Sequence, residues 1–383
     1  MTPGNGPWPC RTPARPRGSS STMPTRSCPD RALSRGRLAG PRLLLAALVA
    51  LTAIAFRQTH RGSDPTVLLD RHPQGIMGTT CLLAVLVPAG ETARGQAALD
   101  AAETELRALE ARLSTYLEAS EISRLNRAGA HEPVPLSAAS LDILRAARDA
   151  ALETEGAFDT TCRPLLLLWR EAARLGRLPS EDERARALAQ VGWTHFQLGE
   201  TGARKSLAEA QQDLGGLGKG YAVDRAVEAL QTAGIRSGLA QLGGDTRVFG
   251  PGPAGGDWVV QIRHPFREGT CGRLRLRDAA VCTSGNYRRF VEIGGRHFSH
   301  IVDPRSGQPM DRTPSVTIIA TRCMTADVWA TALSVLGPDG LEERCRRAGI
   351  HALLVVGEPG HAQLYRSSGI ARFLEDAMPA LEP

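Results

Sequence analysis

Lysine is almost absent from this chain. Of 46 basic side chains in 383 residues, all but Lys205 and Lys219 are arginine. Acid is nearly missing from the N-terminal tail, where Asp30 alone stands among the arginines at 11, 15, 17, 26, 31, 35, 37 and 42. That segment carries +7 against +6 for the whole chain, so the remainder is close to −1. The basic character therefore belongs to the tail, and nothing in the body suggests a nucleic-acid surface. Metal-binding cysteine pairs are missing too. Cys81, Cys162, Cys271, Cys282, Cys323 and Cys345 follow the tail, and no two form C-x-x-C, which argues against a zinc site. In an oxidising compartment some can bridge, although their spacing gives no pairing, and most suit small buried positions. No repeat and no linker-like run appears after about residue 75.

The tail leads into LLLAALVALTAIAF, Leu43 to Phe56, which has no charge. It is shorter than the roughly 20 residues that span a bilayer and fits the apolar core of an export signal. Ala53-Ile54-Ala55 offers a small-x-small cleavage site, and an uncleaved anchor with its arginines held inside fits equally. The arginine flank argues against a buried helix hairpin. No cysteine follows closely enough for a lipoprotein signal, and Met23 is an alternative start. The expectation is a tail plus export signal or anchor over 1–60, and one exported body over 70–383.

Within that body, strand-like and helix-like segments alternate. Thr80 to Pro88 reads as a buried strand, and Gln96 to Leu113 places leucines at helical spacing. Ser137 to Glu155, Ala222 to Ala233 and Thr325 to Leu336 read as further helices. Strands are expected around Leu239 and over Trp258–Ile262, Leu274–Arg277, Phe290–Ile293, Ser315–Ala320 and His351–Val356. This is a mixed α+β body with antiparallel character in its second half.

The chemistry concentrates in loops. DLGGLGKGYAVD, Asp213 to Asp224, sets one of the two lysines among four glycines. Glycines let main-chain N–H groups approach an anion, and a following helix start adds its dipole. Gly220 and Tyr221 follow the lysine, so the P-loop pattern is not met. A strand-to-helix turn with purely steric glycines remains open. Loops of similar character lie at Met77-Gly78-Thr79, Ala157-Phe158-Asp159-Thr160-Thr161, Leu242-Gly243-Gly244-Asp245, Thr283-Ser284-Gly285 and Ser299-His300-Ile301-Val302-Asp303-Pro304. On MTADVWATA, Asp327 and Thr331 stand four apart, so both oxygens share a helical face. Such a pair can hold a hard divalent cation, or Asp327 is simply an early-turn acid on the helix dipole. His300 can take a proton from an attacking hydroxyl, or serve as a structural histidine at a strand end. Together these stretches describe a Mg²⁺-assisted site for a phosphate-bearing ligand.

From about Met77 to Gly337 the chain resembles the FAD:protein FMN transferase (ApbE) family. The resemblance rests on MGT, LSTYLEASEISRLNR, AFDTT…PLLLLW, DLGGLGKGYAVD, LGGD, TSGNYRRF, SHIVDPRSGQP and MTADVWATAL, in that order. It implies an ApbE-like flavin transferase fold and cleavage of the FAD pyrophosphate. The FMN half would pass to a threonine or serine of another protein and AMP would be released, on the periplasmic side. Acceptors implied are flavin-carrying subunits of membrane redox complexes or exported reductases. Asp213 and Lys219 would hold the cofactor. Met77, Tyr116, Ala157, Phe158, Asp159 and Ile301 would line the flavin and adenosine sites. Gly216, Asp327 and Thr331 would hold Mg²⁺, and His300 would be the base. Two departures stand out. TTCRPLLLLWREA follows Asp159 where members commonly have a smaller, glycine-containing run, so Arg163 is expected to alter the adenine or acceptor side of the pocket. Membrane attachment would come only from 43–56. An FAD pyrophosphatase and a non-catalytic FAD-binding protein are the competing expectations. Retention of Asp327, Thr331 and His300 together argues against the second.

Overall fold

The structure is a computed structural model that describes residues 65–285, 290–310 and 315–375. Its centre is an eight-stranded sheet of Thr66–Arg71 (β1), Cys81–Pro88 (β2), Gly238–Leu242 (β3), Asp245–Phe249 (β4), Ala279–Gly285 (β5), Ser315–Ala320 (β6), His351–Val356 (β7) and Gln363–Arg366 (β8). The strands lie side by side in chain order. Every neighbouring pair is antiparallel, so this character runs through the whole sheet rather than its second half alone.

Alternation along the strands divides their side chains between two apolar layers. Val316, Ile318 and Ala320 of β6 and Ala352 and Leu354 of β7 join the larger cluster, with Leu83, Val85 and Val87 of β2. Ile319 and Leu353 turn the other way, with Val248 and Val281. Three helices cover the first face: Thr92–Leu113 (α1), Gly218–Thr232 (α2) and Cys323–Leu336 (α3). The second face lies under a separate hairpin, Trp258–Arg263 with Thr270–Leu276, and the short turn Ser368–Phe373. Cover on both faces explains why all six residues of β6, SVTIIA, are buried, its Ser315 and Thr317 included.

Between α1 and α2 the chain builds a second layer. It holds helices at Glu121–Arg127, Ala138–Glu153, Arg163–Leu175 and Glu181–Leu188, and a small sheet of Val134–Pro135, Phe196–Leu198 and Gly202–Lys205. The six cysteines of the described residues are free thiols. The sulfurs of Cys282 and Cys323 meet at 3.4 Å where β5 passes under α3. Among the described residues no helix is long and apolar enough to cross a membrane, and the Leu43–Phe56 run lies outside them.

Candidate active site

The glycine loop ends earlier than its sequence suggests. α2 starts at Gly218, not Ala222, which puts Lys219 in its first turn. Gly220 lies where α2 meets the start of α3: a Cβ there would fall 2.6 Å from the Cys323 carbonyl oxygen. Glycine is therefore set by that close approach. Asp224, one turn further along and fully buried, accepts hydrogen bonds from the backbone N–H groups of Cys323 (2.9 Å) and Met324 (3.1 Å). It also accepts from Arg247 at 2.8 Å. The preceding residue, Arg322, gives α3 no side-chain cap, so α2 supplies the acceptor for its orphan donors. That cross-helix cap fixes the helix carrying Asp327 and Thr331.

Asp327 is 6% exposed, and its Oδ2 accepts the Gly220 N–H at 3.1 Å. The Lys219 ammonium donates to both its oxygens, at 3.3 and 3.2 Å. A second carboxylate closes the cluster. Asp245 opens β4 after the two-residue turn Gly243-Gly244, whose φ values of 62° and 106° suit glycine. Its Oδ2 lies 2.6 Å from Lys219 Nζ. Two acids thus share one cation, leaving the trio with an excess negative charge when all three are ionised. Burial, and next the Asp245 carboxylate, push the Asp327 carboxyl up to about 6 against the opposing pull of Lys219. Burial works to lower the Lys219 pKa, but the two carboxylates outweigh it and raise it.

Gly216 and Thr331 meet beside this trio. A Cβ on Gly216 would stand 3.1 Å from Thr331 Oγ1 and 2.9 Å from the Phe158 ring. Ala157 and Phe158 are buried in the main apolar cluster with Leu217 and Ile301. Asp159 Oδ1 accepts from the N–H and hydroxyl of Thr161, at 2.8 and 2.7 Å, while burial raises its pKa. Met77 sits at φ 48° and donates its N–H to Glu110 at 2.7 Å. The neighbouring Thr79 packs under Gly243, and Gly243 donates to the Thr80 carbonyl, so the MGT and LGGD stretches form one corner. Tyr116 is 50% exposed in the turn after α1 and takes no part in the hydrogen bonds of the Lys219 trio.

Asp213, which the resemblance implies holds the cofactor, has two partners within the chain. Arg163 donates to its Oδ2 at 3.2 Å and the Gly215 N–H to its Oδ1 at 2.9 Å. The residue singled out as a departure is thus the partner of a candidate ligand-binding acid. His300 is half-buried at the end of the strand Arg296–Ser299. Its loop closes through Met310 N–H to the Ile301 carbonyl and Gly307 N–H to the Asp303 carbonyl, both 2.8 Å. Trp169 Nε1 donates to the Gly307 carbonyl at 2.9 Å, docking the loop on the helix after Arg163. The middle of TSGNYRRF, residues 286–289, lies outside the described residues.

In the sequence Asp245 and Asp224 stand out only as the last residues of the loop motifs LGGD and DLGGLGKGYAVD. Both roles depend on chain crossings. The excess of aspartate around so few lysines was the available signal.

Known proteins include relatives of this chain by both sequence and fold. The model of the ApbE family matches residues 77–354. The FAD:protein FMN transferase of Escherichia coli K12 is 30% identical over 297 residues, covering 75% of this chain and 85% of its own. That of Vibrio cholerae is 33% identical over 267 residues, covering 68% and 80%. Among solved structures, the flavin transferase ApbE of Vibrio cholerae superposes with a TM-score of 0.70 at 30% identity, covering 81% of this chain and all of that one. The ApbE protein of Thermotoga maritima gives 0.72 at 26% identity, with 81% and 100% covered. Fold, motif order and relatives agree: this chain belongs to the ApbE family.

Proposed function

We propose that this enzyme cuts the pyrophosphate of FAD and transfers the FMN half to a threonine or serine hydroxyl of an acceptor protein, releasing AMP. The observation that carries the reading is the Lys219–Asp245–Asp327 trio, poised beside Thr331 and Gly216 at the start of α2. Curated relatives named FAD:protein FMN transferase support the reaction class.

A hard divalent cation such as Mg²⁺ fits the residues present. Asp327, the Thr331 hydroxyl and the Gly216 carbonyl offer oxygen donors only. Asp245 Oδ2 is buried with no hydrogen-bond partner beyond its ion pair to Lys219, so the trio has acceptor capacity to spare. Gly216 has no room for a side chain, which leaves its backbone bare against Thr331. When bound, Mg²⁺ would neutralise charge on the phosphates.

The chain's own residues supply the rest. His300 takes the proton of the acceptor hydroxyl as its oxygen attacks the FMN phosphorus. The bond from that phosphorus to the bridging oxygen breaks, and AMP leaves with that oxygen. Lys219, 24% exposed, presents its ammonium to the phosphates. Met77, Tyr116, Ala157, Phe158, Asp159 and Ile301 line the flavin and adenosine sites, and Asp213 orders the glycine loop through Gly215. The arginine-rich tail and the apolar Leu43–Phe56 run support a reaction on the periplasmic side, with a flavin-carrying subunit or exported reductase as the acceptor we propose.

The test is to incubate purified protein with FAD and Mg²⁺, with and without a candidate acceptor, and to quantify AMP, FMN and acceptor mass. AMP in step with flavinylated acceptor is expected. Equal amounts of free FMN and AMP regardless of acceptor would make it a pyrophosphatase. Intact FAD in both arms would leave a binding protein.

A further inference from the structure

We propose that Asp245 is a positioning residue that keeps Lys219 beside the substrate phosphates when Asp327 turns to a divalent cation. The inference rests on the metal-assisted transfer proposed above.

Asp245 is 4% exposed, and its Oδ2 is 2.6 Å from Lys219 Nζ with no other hydrogen-bond partner. Asp327 holds the same ammonium less closely, at 3.2 Å, and has a second commitment to the Gly220 N–H. The two carboxylates are thus unequal. The Oδ2 of one is paired with the lysine alone, whereas the other carboxylate engages both the lysine and the backbone. Backbone geometry keeps Asp245 in place. It pairs with Leu242 across the two-residue glycine turn, and Leu242 pairs in turn with Cys81 of β2.

A divalent cation and an ammonium cannot share Asp327 comfortably. Like charges a few ångströms apart in a poorly solvated site repel strongly. With Asp327 as its only anion, Lys219 would either exclude the cation or leave the site. Asp245 offers a third outcome: the ammonium shifts its weight to the nearer carboxylate and remains within reach of the phosphates. Burying an ion pair is costly unless the pair is kept, so this contact, once made, resists loss to solvent.

The experiment compares the full-length parent with Asp245→Asn, Asp245→Glu, Lys219→Ala and the Asp245→Asn/Lys219→Ala double variant. FAD binding is followed by flavin fluorescence while Mg²⁺ is titrated, and a melting curve is recorded for each protein. Asp245→Asn should raise the Mg²⁺ needed for half-maximal binding about tenfold, because Lys219 then stays on Asp327. Removing Lys219 in that background removes the competitor, so the double variant should lie within about threefold of Lys219→Ala alone. Asp245→Glu, which keeps the charge, should recover part of the shift. A double variant that keeps the whole tenfold penalty relative to Lys219→Ala would make Asp245 a direct ligand of the cation and overturn the positioning role. A lowered melting temperature with unchanged Mg²⁺ demand would overturn it as well, leaving a structural acid. A parent protein whose FAD binding ignores Mg²⁺ would sink the metal reading and this one together. A Mg²⁺-dependent parent with an unshifted Asp245→Asn sinks only this one.

Discussion

The chain's two lysines occupy opposite kinds of site. Lys205 is fully buried, and its ammonium donates to three backbone carbonyls, those of Asn126, Ala208 and Ala210, at 2.9, 2.6 and 3.0 Å. All three of its protons are spent on main chain, and burial lowers its pKa. Lys219 keeps a quarter of its side chain in reach of solvent and faces two carboxylates. The first lysine has nothing left to offer a ligand. The second sits among charges that a ligand can redistribute. Burial alone therefore does not mark a functional lysine; the identity of the acceptors does. The two are still connected. The Lys205 cage holds Asn126 and the segment over 208–210. The Asn126 side chain then clamps Gln212 by its N–H and carbonyl, at 2.7 and 2.9 Å, just before the glycine loop begins.

Removing Lys205 gives the most direct test of the contrast between the two lysines. Each carbonyl deprived of its donor costs about 1–3 kcal/mol, offset in part because a charge no longer needs burying. Lys205→Met should therefore lower stability by at least about 2 kcal/mol in denaturant unfolding, with any loss of FAD binding tracking loss of folded protein. A variant as stable as the parent would mean that the cage is incidental. On the other side of the comparison, His300→Ala should melt close to the parent but transfer FMN about 10²–10⁴ times more slowly, the range for a general base. An unchanged rate in a discontinuous AMP assay would return His300 to a structural role.

Much of this was legible in the sequence, for reasons that are local. Asp327 and Thr331 could be placed on one helical face because four residues make about one turn, and α3 does carry both. Strands such as Ser315–Ala320 and His351–Val356 are readable from short runs rich in β-branched and apolar residues. Strand β5, AAVCTSG, and the helix Arg163–Leu175 are not. In the first, small polar residues dilute the apolar signal, and the second begins Arg-Pro just after the loop motif AFDTT, whose residues carry the features of a site rather than of a helix start. The start of α2 was missed because glycines have poor helix propensity; packing against Cys323 overrides it. Above all, pairings across long stretches of chain leave no periodic trace. Lys219 with Asp245, Asp224 with the start of α3, and Arg163 with Asp213 are set by sheet register and helix crossing.

Lys219 allows a finer test. Lys219→Ala should weaken FAD binding about tenfold and lose most of its salt dependence, since attraction between charges is screened and flavin stacking is not. Lys219→Arg should also bind less well. Its planar fork cannot reproduce a compact ammonium between carboxylates at 2.6 and 3.2 Å. Titrating FAD by fluorescence at low and high salt separates these effects. Equal affinity of Lys219→Ala and parent at both salts would show that the glycines alone shape the loop.

The smallest expected effect belongs to Arg163, whose pairing with Asp213 lies at the other end of the glycine loop. Both side chains are largely but not wholly covered, 15% and 13% exposed, and Arg163 also reaches Gln211 at 3.1 Å. Removing the guanidinium leaves Asp213 its Gly215 N–H but no countercharge beside the proposed pyrophosphate region. Arg163→Ala should therefore weaken FAD binding about threefold and cost about 1 kcal/mol of stability, in line with ion pairs that keep some solvent. If the lost countercharge is the cause, adding Asp213→Asn should return much of the FAD affinity, because the uncompensated carboxylate is then gone. Affinity that falls as far as in Lys219→Ala, and is not returned by Asp213→Asn, would place Arg163 on the substrate itself. The two ends of the loop would then bind FAD alike, and the distinction between a structural and a ligand-facing cation would hold only for Lys205.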